Sequence, residues 1–305
     1  MSQNPYEVVI VGAGPAGLST ALVLGRSRRR TLLVDGGAGR NSAASGVHGM
    51  LGCDGMSPDE LRTAGRHQLR QYPDVRTRAG RVLKVAGRPD GFSLVFDDGT
   101  AVDARRIVLA TGVSEQLPDI AGVAERWGRG VFGCPYCHAW ELRDRPLAVL
   151  AVGGDEDAVF AAQLTQWSTE VTFCTNGLDV RDTAVLRRRG VAVRTEPVRR
   201  VDGHDGGERI VFADGPALSC AAVFLHATTR QSSELPGQLG CALLADGSVR
   251  VDDTGRTSVP GIYAVGDSAR QETGTSGATS VVSAAAAGFV AATSINQELF
   301  TDSLD

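Results

Sequence analysis

Tyr6 to Gly37 reads YEVVIVGAGPAGLSTALVLGRSRRRTLLVDGG, and the reading of this stretch decides the fold. VVIV is the continuous apolar run of a strand buried on both faces. Gly12, Gly14 and Gly17 follow with G-x-G-x-x-G spacing where that strand ends. Gly12 permits a tight turn, Gly14 admits the close approach of a pyrophosphate, and Gly17 lets helix and strand pack closely. The helix beginning there offers free N–H groups and the positive end of its dipole to phosphate. Asp35 ends the next strand, where a carboxylate holds a ribose. A glycine-rich turn with no ligand is the bland alternative, and the strand–turn–helix–strand context argues against it.

Two distant pieces extend this site. RRIVLATG, Arg105 to Gly112, is another buried strand ending in a small-residue turn. SVPGIYAVGDSA, Ser258 to Ala269, repeats that form, with Asp267 just beyond the strand, placed to take a hydroxyl of a ribityl chain. A flavin site is therefore expected from both ends of the chain, closed by a helix from about Val281 to Ile295. Between them, RPLAVLAVGGDEDAVFAAQLTQWSTEVTFCTNG, Arg145 to Gly177, repeats the strand–turn–helix–strand plan. The expected fold is α/β: two doubly wound, three-layer (β/β/α) dinucleotide-binding-type domains, the second inserted in the first. The expected boundaries are 1–117 and 246–305 for the flavin domain and 118–245 for the insertion.

The second turn is eroded. It runs Gly153, Gly154, Asp155, Glu156, Asp157, Ala158, so an aspartate occupies the middle glycine position. Acids suit a helix N-terminus, yet they put negative charge where a pyrophosphate would sit. No arginine follows the next strand, FCTNG, to meet a 2′-phosphate, which weighs against an NADPH pocket.

Composition narrows the rest. The chain has 305 residues, enough for two medium domains, and a net charge of -4 with no long basic block. Neither nucleic acid nor an anionic membrane is indicated as the main partner. The basic GRSRRRT, Gly25 to Thr31, lies between a helix-like and a strand-like run and reads as a solvated connection. No basic leader or cleavage signal is evident, and SVVSAAAAGFVAA is too short and alanine-rich to span a bilayer. Six scattered cysteines fit a catalytic pair plus bystanders better than a secreted disulfide framework, so a cytoplasmic setting is expected.

Within FGCPYCHAWE, Phe132 to Glu141, the pair is Cys134 and Cys137, with His138 directly after. As half of a zinc site the pair lacks its other half: Cys174, Cys220 and Cys241 are single and dispersed, and no metal is expected. As a redox pair, one thiolate attacks while the other resolves, and a flavin accepts the two electrons. His138 is the candidate proton carrier, since imidazole titrates near neutral pH; a role in merely shaping the loop is the alternative. His48 and Cys53 either line the substrate pocket, flank the flavin or are structural. Cys174, at a strand end, reads as a small core residue.

With the flavin motif, the insertion, C-x-x-C and GIYAVGD in order, nearly the whole chain resembles the low-molecular-weight thioredoxin reductase family. The resemblance implies an FAD-containing homodimer whose cysteine pair sits on the inserted domain facing the flavin. It implies that Cys137 is the sulfur next to the flavin and Cys134 the one exchanging with substrate. The candidate flavin-contacting residues are Gly12, Gly14, Pro15, Ala16, Gly17, Asp35, Gly36, Arg40, Asn41, Ala110, Thr111, Gly112, Gly266, Asp267, Thr279, Ser280 and Val281. The departures are specific. Thr175, Asn176 and Gly177 replace the reductases' histidine–arginine–arginine stretch, His138 replaces a proton-handling aspartate, and ETGTSGATSVV follows Arg270 and Gln271. GRNSAASGVHGMLGCDG, Gly39 to Gly55, and CPYCHAWE resemble instead the branch that closes disulfides in small natural products, typified by the gliotoxin and holomycin dithiol oxidases. That branch implies a small-molecule dithiol as substrate, O2 as final acceptor and peroxide as product, with no catalytic need for NADPH. An NAD(P)H-dependent disulfide reductase is the main competing expectation. A reductase fed by another donor such as ferredoxin, or a non-enzymatic FAD-binding protein, ranks lower.

Overall fold

The structure is a computed structural model that describes residues 5–153, 155–180, 183–273 and 279–304. The chain divides into two units: residues 1–42, 58–114 and 229–305 form one, and residues 43–57 and 115–228 the other. Three stretches differ from the expected boundaries: residues 229–245 join the first unit, and residues 115–117 and the glycine-rich residues 43–57 join the second.

In the first unit, Tyr6–Val11 lies between Thr31–Asp35 and Ala101–Leu109, all parallel, with Val9 opposite Leu32 on one side and Ile107 on the other. Val8, Val9 and Ile10 have no exposed surface, as the unbroken apolar run predicts for a strand covered on both faces. Val75–Ala79 extends the sheet beyond Thr31–Asp35. Besides Tyr6–Val11, the nine-residue strand Ala101–Leu109 serves two further partners: its first half pairs antiparallel with Gly91–Phe96, and its second half pairs parallel with Ile262–Ala264. That second pairing brings the late GIYAVGD segment beside the first strand–turn–helix, as the sequence leads one to expect.

Helix Pro15–Arg26 packs against the last helix, Val281–Thr301, which runs two turns beyond the expected end. The approach is close because the contact is made of small residues. A Cβ on Gly288 would stand 2.2 Å from the Ala16 carbonyl oxygen, and Ala21, Ala291 and Ala292 are fully buried. Ile295 and Leu299, also fully buried, each contribute roughly 1.5–3 kcal/mol of apolar burial.

The second unit is built on five parallel strands in the order Ala192–Arg194, Val171–Cys174, Leu147–Leu150, Ala222–Phe224, Val131–Phe132. The central strand is fully covered: Leu147 to Leu150 are at most 1% exposed. Helix Asp155–Leu164 lays Ala158, Ala161 and Leu164 onto that sheet. A three-stranded antiparallel sheet, Val198–His204, Gly207–Phe212 and Leu218–Cys220, carries Glu208, which is 1% exposed and paired with Arg126. A carboxylate this buried requires its partner, because an unpaired charge there would cost several kcal/mol, about 3–5.

Candidate active site

The first unit gathers all seventeen candidate flavin-contacting residues. Gly12 turns the chain with φ at +114°, and a Cβ there would meet the Ala110 carbonyl oxygen at 2.2 Å. Gly17 is tighter still: its Cβ would fall 1.8 Å from the Gly12 carbonyl oxygen. Gly14 is the opposite case, with nothing within 4 Å of a Cβ built on it. This is the open space a pyrophosphate needs. Gly14 is also the N-cap of Pro15–Arg26 and brings no capping side chain, so the helix N–H groups point to that space uncapped by a side chain.

Around this turn the distant pieces meet. Arg40 Nη1 donates to Asp267 Oδ2 and to Thr279 Oγ1, each at 2.8 Å, tying three separately chosen residues into one cluster. Thr111 Oγ1 is buried with no hydrogen-bond partner, while Gly112 and Gly266 take positive φ of 66° and 72°. Ser280 caps the last helix, accepting from the Ser283 N–H, so its hydroxyl is committed locally; Val281 opens that helix. Asp35 ends its strand as read, but its carboxylate accepts from Gly37 N–H at 3.0 Å and from Arg66 Nη1 at 3.1 Å. Arg66 escaped the sequence reading, because nothing in a solvated helix pattern marks one arginine as the partner of a distant aspartate. Gly36 and Asn41 lie on the same strand-end segment. An open cradle at Gly14 and an orphaned buried hydroxyl at Thr111 fit a dinucleotide cofactor.

The second unit holds the cysteine pair. Cys134 is the N-cap of a short helix, Pro135–His138, with Pro135 at its first position, where a missing N–H costs nothing. Cys134 and Cys137 are joined as a disulfide, with Cα atoms 5.3 Å apart. Cys174 and Cys220 are buried thiols pushed up to about 12 by burial, and Cys241 is raised for the same reason. Burial thus disfavours the reactive thiolate at all three.

His138 stacks on Phe132 with ring centroids 4.2 Å apart. Both its ring nitrogens are buried and neither has a hydrogen-bond partner. Burial holds its pKa below the ordinary 6.5; the nearby Cys134 main chain and Glu141 oppose this, and His48 lowers it further. Burial therefore favours the neutral ring, which follows Cys137 directly in the chain with both nitrogens unpaired.

The eroded turn holds a feature the sequence did not disclose. Asp155 is exposed at the start of its helix; the residue that occupies the turn is Asp157, 2% exposed. One carboxylate oxygen of Asp157, Oδ2, accepts from both Val152 N–H and Gly153 N–H at 2.8 Å. The strand end and first glycine of this turn thus hold an anion of the chain itself, next to the helix start where a dinucleotide turn binds phosphate. The signal was an acid at the fifth motif position, hidden by the more conspicuous Asp155. Gly154, read as part of the same motif, lies outside the described residues, as do residues 274–278 of ETGTSGATSVV. Beyond the next strand, Thr175 is buried and Asn176 accepts from Val198 N–H at 2.7 Å. Among the described residues, no group of His, Cys, Asp or Glu could hold a metal ion, and no helix is long and apolar enough to cross a membrane.

An open dinucleotide cradle in one unit and a closed cysteine pair with a buried imidazole in the other define a class: FAD-dependent thiol–disulfide oxidoreductases. The family profile described as pyridine nucleotide-disulphide oxidoreductase matches residues 6–288. The chain belongs to that family, among its low-molecular-weight, thioredoxin-reductase-like FAD flavoproteins. A probable thioredoxin reductase of Arthroderma benhamiae is 32% identical, over 87% of this chain and 74% of the relative. The solved oxidoreductase from Agrobacterium tumefaciens is 37% identical with a TM-score of 0.90, covering 98% of this chain and 99% of that one. The crystal structure of HlmI is 35% identical with a TM-score of 0.89, covering 100% of this chain and 96% of that one.

Proposed function

We propose that the chain is an FAD-dependent dithiol oxidase that closes an intramolecular disulfide in a small natural product of the dithiolopyrrolone (holomycin) type. O2 is the final acceptor and H2O2 the product, and the enzyme works as a cytoplasmic homodimer. The observation that carries the direction is the Asp157 carboxylate seated on the Val152 and Gly153 N–H groups. A dinucleotide pyrophosphate would have to sit against this buried anion, at a helix start that also carries Asp155 and Glu156. Without that entry point, electrons arrive from a thiol substrate.

Gly12, Gly14, Arg40, Thr111 and Asp267 would hold FAD, which supplies two-electron acceptance from the reduced pair and delivery to oxygen. The remaining chemistry belongs to the chain. A substrate thiolate attacks Cys134 Sγ and breaks its bond to Cys137. The second substrate thiolate then attacks the first substrate sulfur, which closes the product disulfide and releases Cys134. His138, neutral through burial, takes a proton from an attacking thiol and returns it to a leaving cysteine.

A second reading, an NAD(P)H-dependent thioredoxin or disulfide reductase, is favoured by the names of the relatives, most of them thioredoxin reductases. One experiment separates the two. In anaerobic stopped flow, the holoenzyme is mixed with small dithiols, reduced thioredoxin, NADPH or NADH. The oxidase reading expects rapid flavin bleaching by a small dithiol and, under air, one peroxide per disulfide. Rapid bleaching by NADPH or NADH, with none by dithiols, replaces it with the reductase reading.

A further inference from the structure

Residues 43–57 belong to the unit that carries the redox pair, and they form a defined loop. Val47 N–H donates to Met56 O and Gly55 N–H to Val47 O, both at 2.8 Å, and Val47 is buried. Gly49 N–H donates to Asp54 Oδ1 at 2.8 Å, which fixes that carboxylate. The loop presents His48 between two acids from two different elements. Its Nδ1 lies 3.7 Å from Asp54 Oδ1, and its Nε2 lies 3.7 Å from Glu141 Oε1, three residues beyond His138. Gly46 makes room for the ring: a Cβ there would stand 2.9 Å from His48 Nε2. Among the described residues, the charged or titratable groups bearing on the two imidazoles are Asp54, Glu141 and each other.

The chemistry calls for such a group. Exchange between a dithiol and the closed pair breaks two S–H bonds of the substrate and the Cys134–Cys137 bond. It forms one substrate S–S bond and two cysteine S–H bonds, so two electrons and two protons pass to the pair. His138 holds one proton at a time, and it carries none of its own hydrogen bonds to steady it.

We propose that His48, bracketed by Asp54 and Glu141, is a positioning residue for the redox pair that acts through His138, deciding when His138 carries the proton. Each ring nitrogen of His48 has a carboxylate oxygen 3.7 Å away, and Glu141 stands three residues beyond His138 in the same segment. The inference rests on the thiol–disulfide exchange shared by the family, not on the identity of the final electron acceptor. It therefore survives if the oxidase reading fails.

The test uses the holoenzyme and two readouts across pH 4.5–8: flavin reduction by dithiothreitol, and alkylation of the reduced pair by iodoacetamide without substrate. His48→Gln removes a group that disfavours protonation of His138, so the acid limb should move up by roughly half a pH unit. Glu141→Gln removes a group that favours it, so the limb should move down by a similar amount. Gly46→Ala keeps the imidazole but pushes it aside, and should shift the alkylation profile in the direction of His48→Gln. Opposite shifts of the two single variants, at unchanged melting temperature, support the proposal. It is overturned if folded His48→Gln keeps the wild-type profiles, if both single variants shift the same way, or if Gly46→Ala leaves the alkylation profile unmoved.

Discussion

Asp157 offers the sharpest test of the second unit, because a single oxygen of its carboxylate serves two backbone donors at 2.8 Å. Asp157→Ala removes both bonds. Hydrogen bonds to a charged group contribute about 1.5–3 kcal/mol each, and the loss is reduced here because Gly153 is exposed and water can replace the carboxylate. The expected cost is about 2–4 kcal/mol, including a small loss of helix-dipole stabilisation. Asp157→Asn is the informative control. Its amide oxygen can take the place of Oδ2 and keep both contacts as neutral bonds, at about half the strength, for a cost of about 1–2 kcal/mol. At about 2–4 °C per kcal/mol, calorimetry should find the alanine variant's transition lower by roughly 5–15 °C and the asparagine variant's by about half of that. NADPH at millimolar concentration should not raise the wild-type transition, since a ligand stabilises only what it binds. An alanine variant that melts with wild type, or an asparagine variant worse than alanine, would show that the carboxylate does not hold the turn. A marked NADPH-induced rise in wild type would show that the turn is open to nucleotide after all.

The remaining expectations concern the cofactor turn and the redox centre. Gly14→Val should leave apo-protein stability within about 1 kcal/mol, because its backbone angles suit any residue and its Cβ meets nothing, yet FAD content after purification should fall sharply. Gly17→Ala, with a Cβ 1.8 Å from a carbonyl oxygen, should instead lower soluble yield or melting temperature by itself. Cys137→Ser should abolish turnover, about 10³-fold or more, and thiol titration after reduction should count two fewer accessible thiols on opening of the pair than wild type gains. His138→Gln should slow flavin reduction by dithiols by about 10²-fold or more. It should also remove a pH dependence of stability. Because burial lowers the pKa of His138 from 6.5, the unfolded chain binds more protons between the folded value and 6.5. Wild-type stability therefore falls as pH drops through that window, and equilibrium urea unfolding of the variant should lack this slope.

Local patterns in the chain were sufficient for the first strand, its glycine turn and the helix beyond, because burial on both faces and the Gly12–Gly17 contact concern neighbours in sequence. The same holds for the repeated plan of the insertion and for Cys134, Cys137 and His138, whose three positions fall on one short helix and its cap. The convergence of Arg40 with Asp267 and Thr279 was anticipated only as a set of candidates; their hydrogen bonds depend on the last helix folding back over the first. Three decisions belonged to the tertiary structure alone. Asp35 faces Arg66, Asp157 rather than Asp155 fills the second turn, and residues 43–57 leave one unit to set His48 against Glu141. Hydrophobic period and turn chemistry are short-range signals, whereas the direction of one carboxylate and the docking of one loop depend on which distant surfaces the packed core brings within a few ångströms. Residue type says that an aspartate accepts hydrogen bonds and that an imidazole moves protons. Which N–H or which carboxylate each one meets is decided only when the chain closes on itself.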